Sequence, residues 1–105
     1  MKTSPTQRTL AVLRDQGYIA EVVERWNQFS KTRKDLFGII DVLAIGNGET
    51  VAVQTTTASN VNARMQKMED SPCLAYMRDA GWKIHIHGWK KDSKGQWICK
   101  TVDIS

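Results

Sequence analysis

The sequence predicts an α/β domain in which helices cover both faces of a central sheet. Asp41-Val42-Leu43-Ala44-Ile45 and Val51-Ala52-Val53-Gln54-Thr55-Thr56-Thr57 are largely apolar on both faces, as strands buried between helices are. Gly46-Asn47-Gly48 joins them with residues that tolerate positive φ, which makes the pair a hairpin. Helical patterns precede and follow this hairpin, and two more strands close the chain, so the order reads αβββα followed by ββ. One polar group sits inside each apolar run, Asp41 in the first and Gln54 in the second. Burying such groups is costly, so the hairpin is the first place to look for chemistry.

The remaining elements follow from local signals. Ser4-Pro5 supplies a helix N-cap with proline at the first helical position, and Leu10, Val12 and Leu13 give an apolar side that ends at Gly17. Tyr18 to Trp26 is rich in β-branched and aromatic residues and reads as a strand, with Glu24 between Val22 and Trp26 on one face. Asn27 to Lys34 is polar and basic and reads as a loop or hairpin tip. The first hairpin strand spans Phe37 to Ile45. Ser59 caps a helix with the apolar stripe Val61, Met65 and Met68. Ser71-Pro72 interrupts it, and a further helix runs to Ala80 with Gly81 as the stop. Trp82 to Trp89 and Gln96 to Asp103 are strands around a Lys-Asp-Ser-Lys-Gly turn.

With 105 residues the chain is one domain, 1–105, of a size that favours gaining stability through a homodimer interface. Fifteen Lys and Arg against eleven Asp and Glu give a net charge of +4, which favours an anionic partner such as nucleic acid. Cys73 and Cys99 offer neither zinc-ribbon spacing nor a disulfide framework and are expected to be reduced. There is no apolar run of the roughly 20 residues a membrane span needs, and no apolar leader. The expected compartment is the cytoplasm of a bacterial, archaeal or phage-infected cell. His85-Ile86-His87 places two imidazoles on one strand face, which is too few for a metal site, and reads as an exposed or dimer-facing strand edge. The four tryptophans suit base stacking, but also core or interface positions. Lys90, Lys91 and Lys94 read as a solvated turn.

Three segments carry a resemblance. Asp35-Leu36-Phe37-Gly38-Ile39-Ile40-Asp41, Val51-Ala52-Val53-Gln54-Thr55-Thr56, and Ser59-Asn60 with Arg64 and Lys67 resemble the PD-(D/E)xK nuclease superfamily. Within it the likeness is to archaeal-type Holliday junction resolvases and their small phage or bacterial relatives, over roughly residues 5 to 88. The resemblance implies a restriction-endonuclease-like fold with a mixed central sheet, and metal-dependent, structure-selective DNA cleavage. It also implies a Mg²⁺ or Mn²⁺ cofactor and branched DNA as substrate. In the superfamily two acids hold the metal and a lysine activates water or stabilises charge on the phosphate. Asp41 falls on the first acid, behind Ile40 where the family has proline. Gln54 stands where the second acid belongs, and Thr56 where the lysine belongs.

These departures shape the expected site. Asp41, the side-chain oxygen of Gln54 and the backbone oxygen of Thr55 are the expected metal ligands, holding the ion weakly because one negative charge is gone. Glu24 is the candidate replacement carboxylate, and Glu21, of opposite strand parity, the weaker one. Arg64 and Lys67, three apart on the following helix, are the candidate cationic helpers, Lys67 the preferred one. Lys31, Arg33 and Lys34, with Ser59, Asn60 and Arg64, are the expected phosphate-binding residues. Two alternatives accompany this reading: a catalytically inactive nuclease-fold module binding structured nucleic acid, and a phage-type protein-interaction domain.

Overall fold

A computed structural model describes residues 4–105 of the chain. Helix α1 (Pro5–Asp15) leads into β1 (Ile19–Val22), followed by the short strands β2 (Arg25–Asn27) and β3 (Thr32–Lys34). The hairpin β4 (Val42–Gly46) and β5 (Glu49–Thr57) comes next, then a 3₁₀ turn (Ala58–Asn60), α2 (Val61–Glu69) and α3 (Cys73–Asp79). Strands β6 (Lys83–Lys91) and β7 (Trp97–Asp103) complete the chain. The main sheet has the order β1-β4-β5-β6-β7. It is mixed: β5 and β6 run parallel, connected across one face by α2 and α3, and the other neighbours are antiparallel. None of the described helices is long and apolar enough to cross a membrane.

The double-sided apolar runs are explained by two cores. On one face α1 lays Leu10 and Leu13 over Ala20, Val42, Ala44, Val51 and Val53. On the other, Val61, Met68, Leu74 and Met77 of α2 and α3 pack on Ala52, Ile84 and Ile86. The α1 cap forms as the sequence predicts, with Ser4 Oγ accepting from the Gln7 N–H at 3.2 Å and Pro5 in the first turn. The β4–β5 turn also forms as predicted, with Asn47 at φ 52° and Gly48 at φ 77°.

Four expectations are corrected. The strand expected over Tyr18–Trp26 breaks at Val23-Glu24. The Val23 N–H makes a last bond to the Asp41 carbonyl at 2.8 Å, after which the chain leaves the sheet. Beyond the break, β2 pairs with β3 in a separate two-stranded ribbon, with the tip of that hairpin inside the stretch expected to be a loop or hairpin tip. The strand expected from Phe37 starts only at Val42. Phe37 (φ 53°) and Gly38 (φ 78°) are both left-handed and fold Leu36 back to bridge Ile40. Ser59 is not a helix cap: it lies inside the 3₁₀ turn with its hydroxyl 3.2 Å from Thr57 Oγ1, and Asn60 holds the N-cap position of α2.

The fourth correction concerns the histidine strand. β6 is an interior strand between β5 and β7, so His87 is buried, with Nδ1 3.1 Å from Thr9 Oγ1. Trp89 Nε1–H donates to the same hydroxyl at 3.0 Å, which ties α1 to the sheet through one buried threonine. Burial, reinforced by neighbouring His85, holds the His87 imidazole down at about 4.

Gly88 on β6 sits directly beneath the 3₁₀ turn. A Cβ there would lie 2.3 Å from Val61 Cγ2 and 3.0 Å from Ala58 Cα, inside van der Waals contact with both. Gly88→Ala is therefore expected to cost about 1–3 kcal/mol by overpacking. The measurement is urea unfolding, with a lowered midpoint at unchanged slope.

Candidate metal and phosphate site

Asp41 occupies the last position before β4, where its N–H bonds to the Val53 carbonyl and anchors the residue to β5. Its buried carboxylate takes three donors on Oδ2: the Thr55 N–H at 2.9 Å, the Thr55 hydroxyl at 3.1 Å and the Gln54 side-chain amide. A carboxylate held from one side by three donors has a fixed orientation. Thr55 is itself held from above, its hydroxyl 3.0 Å from Thr6 Oγ1 in the first turn of α1.

Two further carboxylates reach this point. Oxygens of Glu24, Asp35 and Asp41 all lie within 4.8 Å of one another. Glu24 comes from the break between β1 and β2, and not from a strand as expected. Asp35 opens the turn that contains left-handed Phe37 and Gly38, its carbonyl accepting from the Gly38 N–H at 2.9 Å. Like charges at such separations oppose joint ionisation. Burial, a hydrogen bond to Asp41 and the negative charges of Asp41 and Glu24 raise the Asp35 carboxyl to about 7, against the opposing charge of Lys67. Asp35 therefore holds a proton below about 7.

These groups line a cavity of about 400 Å³ between the start of α1, the end of β5 and the start of α2. Arg33, Asn60 and Arg64 line it as well. Arg33 Nη1 donates to Glu24 Oε1 at 3.3 Å from a largely exposed position.

Gln54 is 2% exposed, and its position reverses the expected donor. The amide nitrogen faces Asp41, so the carbonyl oxygen Oε1 points elsewhere and is buried without a hydrogen-bond partner. A buried carbonyl left unpaired is costly and marks a place where a donor or a cation is accommodated. Thr55 enters through its N–H and hydroxyl, where its backbone oxygen was the expected contributor. Thr56 lines the cavity and is buried.

The expected residues thus divide. Asp41, Gln54, Thr55, Thr56, Glu24, Arg33, Asn60 and Arg64 come together around one cavity. Lys67, the preferred helper, is not among the cavity's lining, although its charge is felt at Asp35. Lys31 and Lys34 belong to the ribbon, and Ser59 faces Thr57. Asp35 was missed as a site residue. Its signal was present as a carboxylate directly after a basic triplet and before Phe-Gly, but only the left-handed turn brings it to Asp41.

No protein-family model matches the chain, and no curated protein matches it. Fold and site together describe a mixed-sheet α/β domain with a carboxylate cluster in an arginine-lined cavity.

Proposed function

We propose that this chain is a divalent-metal-dependent deoxyribonuclease of restriction-endonuclease-like construction, acting on branched DNA in the manner of small resolvases. The carrying observation is the convergence of Glu24, Asp35 and Asp41 in a cavity that Arg33 and Arg64 also line. The charge missing at Gln54 relative to the PD-(D/E)xK pattern is supplied from outside the hairpin by Glu24 and Asp35. The topology agrees with the resemblance: a hairpin, a helical crossover and a parallel fourth strand.

The donor set suits Mg²⁺ or Mn²⁺, which prefer hard oxygens and one or two carboxylates with retained waters. Asp41, Asp35 and Glu24 would hold the ion. A bound divalent ion lowers the pKa of its water and offsets phosphate charge. The chain's own residues do the rest. Thr55 and Gln54 fix the Asp41 carboxylate, and Arg64 and Asn60 at the start of α2 position a phosphate at the cavity. Arg64, which lines the cavity, takes the charge-stabilising part first expected of Lys67.

The test is cleavage of a labelled four-way junction, beside linear duplex and single strand, with Mg²⁺ or Mn²⁺. Metal-dependent cutting of the junction supports the proposal. Binding without cutting under either metal replaces it with an inactive nucleic-acid-binding module, and neither binding nor cutting points to a protein partner.

A pH dependence follows. Asp35 carries its proton below about 7, and a cation must displace it. Mn²⁺ affinity is expected to rise about tenfold per pH unit on approach to pH 7 and to level above it. Calorimetric titration between pH 5.5 and 8 measures this slope, which Asp35→Asn should flatten.

A further inference from the structure

The β2–β3 ribbon stands outside the main sheet and carries an unusual surface. Residues 25 to 34 hold four cationic side chains, Arg25, Lys31, Arg33 and Lys34, and no acidic one. Arg25 and Lys34 face each other as a cross-strand pair. Like charges placed directly opposite destabilise a sheet, all the more in a ribbon with only three residues per strand. A polyanion lying across the pair would relieve that repulsion.

The same ribbon exposes aromatic rings. Trp26 is 58% exposed, Phe29 at the tip is 100% exposed, and Phe37 beyond β3 is 55% exposed. Phe29 is presented by a turn in which Asn27 Oδ1 accepts from the Phe29 and Ser30 N–H groups, at 2.9 and 3.3 Å. Phe37 sits in a left-handed backbone conformation that a bulky residue adopts only at a cost. All three rings line one open groove of about 630 Å³, together with Arg25 and Lys34. Asp35 lines both this groove and the carboxylate cavity, so the two are adjacent.

We infer that the ribbon is a clamp for single-stranded DNA, whose bases stack on Trp26, Phe29 and Phe37 while Arg25 and Lys34 hold its phosphates, leading the strand to the carboxylate cavity. Rings beside cations form the pattern that binds unpaired nucleotides without reading their sequence, because every base has a stacking face. A regular duplex keeps its bases stacked on one another and offers these rings nothing. The inference rests on the proposed nuclease reading and narrows its substrate to DNA with an unpaired segment beside the scissile phosphate.

The experiment is fluorescence anisotropy of the full chain with a labelled 15-nucleotide oligo-dT and with a duplex of equal length, in EDTA. Trp26→Ala and Phe29→Ala are each expected to weaken oligo-dT binding roughly 5- to 150-fold, with less than about a twofold effect on duplex. Trp26→Phe should recover most of the loss. Lys34→Ala should lower the salt slope of oligo-dT binding by about 0.7. The fully exposed Phe29 can be truncated without touching the core, so its result does not depend on folding. Oligo-dT affinity unchanged in both alanine variants, or equal losses for duplex and single strand, overturns the clamp. Measurable cutting together with such unchanged affinity leaves the nuclease standing without the clamp. Ribbon-dependent oligo-dT binding in a chain that cuts nothing under any metal leaves the clamp standing without the nuclease.

Discussion

Replacing Asp41 with Asn is expected to abolish the proposed metal-dependent cleavage, by about 100-fold or more, while the domain remains folded. Asp41 is the one carboxylate of the cluster whose orientation is set by three hydrogen bonds, all on one oxygen. An asparagine preserves the acceptor for the Thr55 and Gln54 donors, so packing survives, but it removes the charge that a divalent ion requires. Asp41→Ala differs instructively. It leaves the Thr55 N–H, the Thr55 hydroxyl and the Gln54 amide facing an empty position, and unsatisfied buried donors cost about 1–3 kcal/mol. Two measurements separate these effects. Junction cleavage should vanish in both variants, and the unfolding midpoint should fall only in the alanine one. A second reading comes from Mn²⁺, which should raise the melting temperature of the wild type and of neither variant.

The second large effect concerns pH and lies one strand away on β6, where His87 pairs in register with Thr55. His87 stays neutral in the folded protein down to about 4, whereas in the unfolded chain it takes up a proton near 6.5. Between those values the unfolded state binds more protons than the folded state, so stability falls as the pH drops from 6.5 to 4 and levels off below. The shift corresponds to about 3 kcal/mol once complete, carried by the imidazole that Thr9 of α1 contacts beside Trp89. Asp35 acts in the opposite direction. Its folded value near 7 lies above its ordinary 3.8, so the folded state binds the extra proton and stability rises as the pH falls through the same window. The wild-type profile is the sum of two opposed contributions. His87→Gln should remove the destabilising one, leaving a variant that gains stability on acidification from pH 7 to 4.5 in urea unfolding. Asp35→Asn should have the reverse effect. A His87→Gln profile parallel to that of the wild type would show that the imidazole does not titrate between the two states.

The helices and the hairpin were legible because their signals are local. A cap at Ser4-Pro5, a Gly-Asn-Gly turn and a stripe such as Val61, Met65 and Met68 each act within a few residues, where chain geometry and burial leave few choices. Asp41 and Gln54 were legible for a related reason: a polar group inside a doubly apolar run is costly wherever the run is buried, so its presence marks a site before any partner is known. The strand ends were less legible. β-rich composition carried Tyr18–Trp26 as one strand, yet the break at Val23-Glu24 is set by which backbone groups of Asp41 remain to be paired. Likewise, nothing in the His85-Ile86-His87 alternation distinguishes an edge from an interior strand until β7 adds itself alongside.

The sequence by itself determined an α/β domain, its central hairpin and the buried acid within it, because hydrophobic burial and turn geometry act on neighbouring residues. Only the tertiary structure decided that Asp35 and Glu24 converge on Asp41, that the Gln54 amide turns its nitrogen to that carboxylate, and that Trp26 and Phe29 stand on a ribbon apart from the sheet. Those outcomes depend on strand pairing and on a left-handed turn at Phe37-Gly38, whose energies are set by contacts between segments distant in the chain.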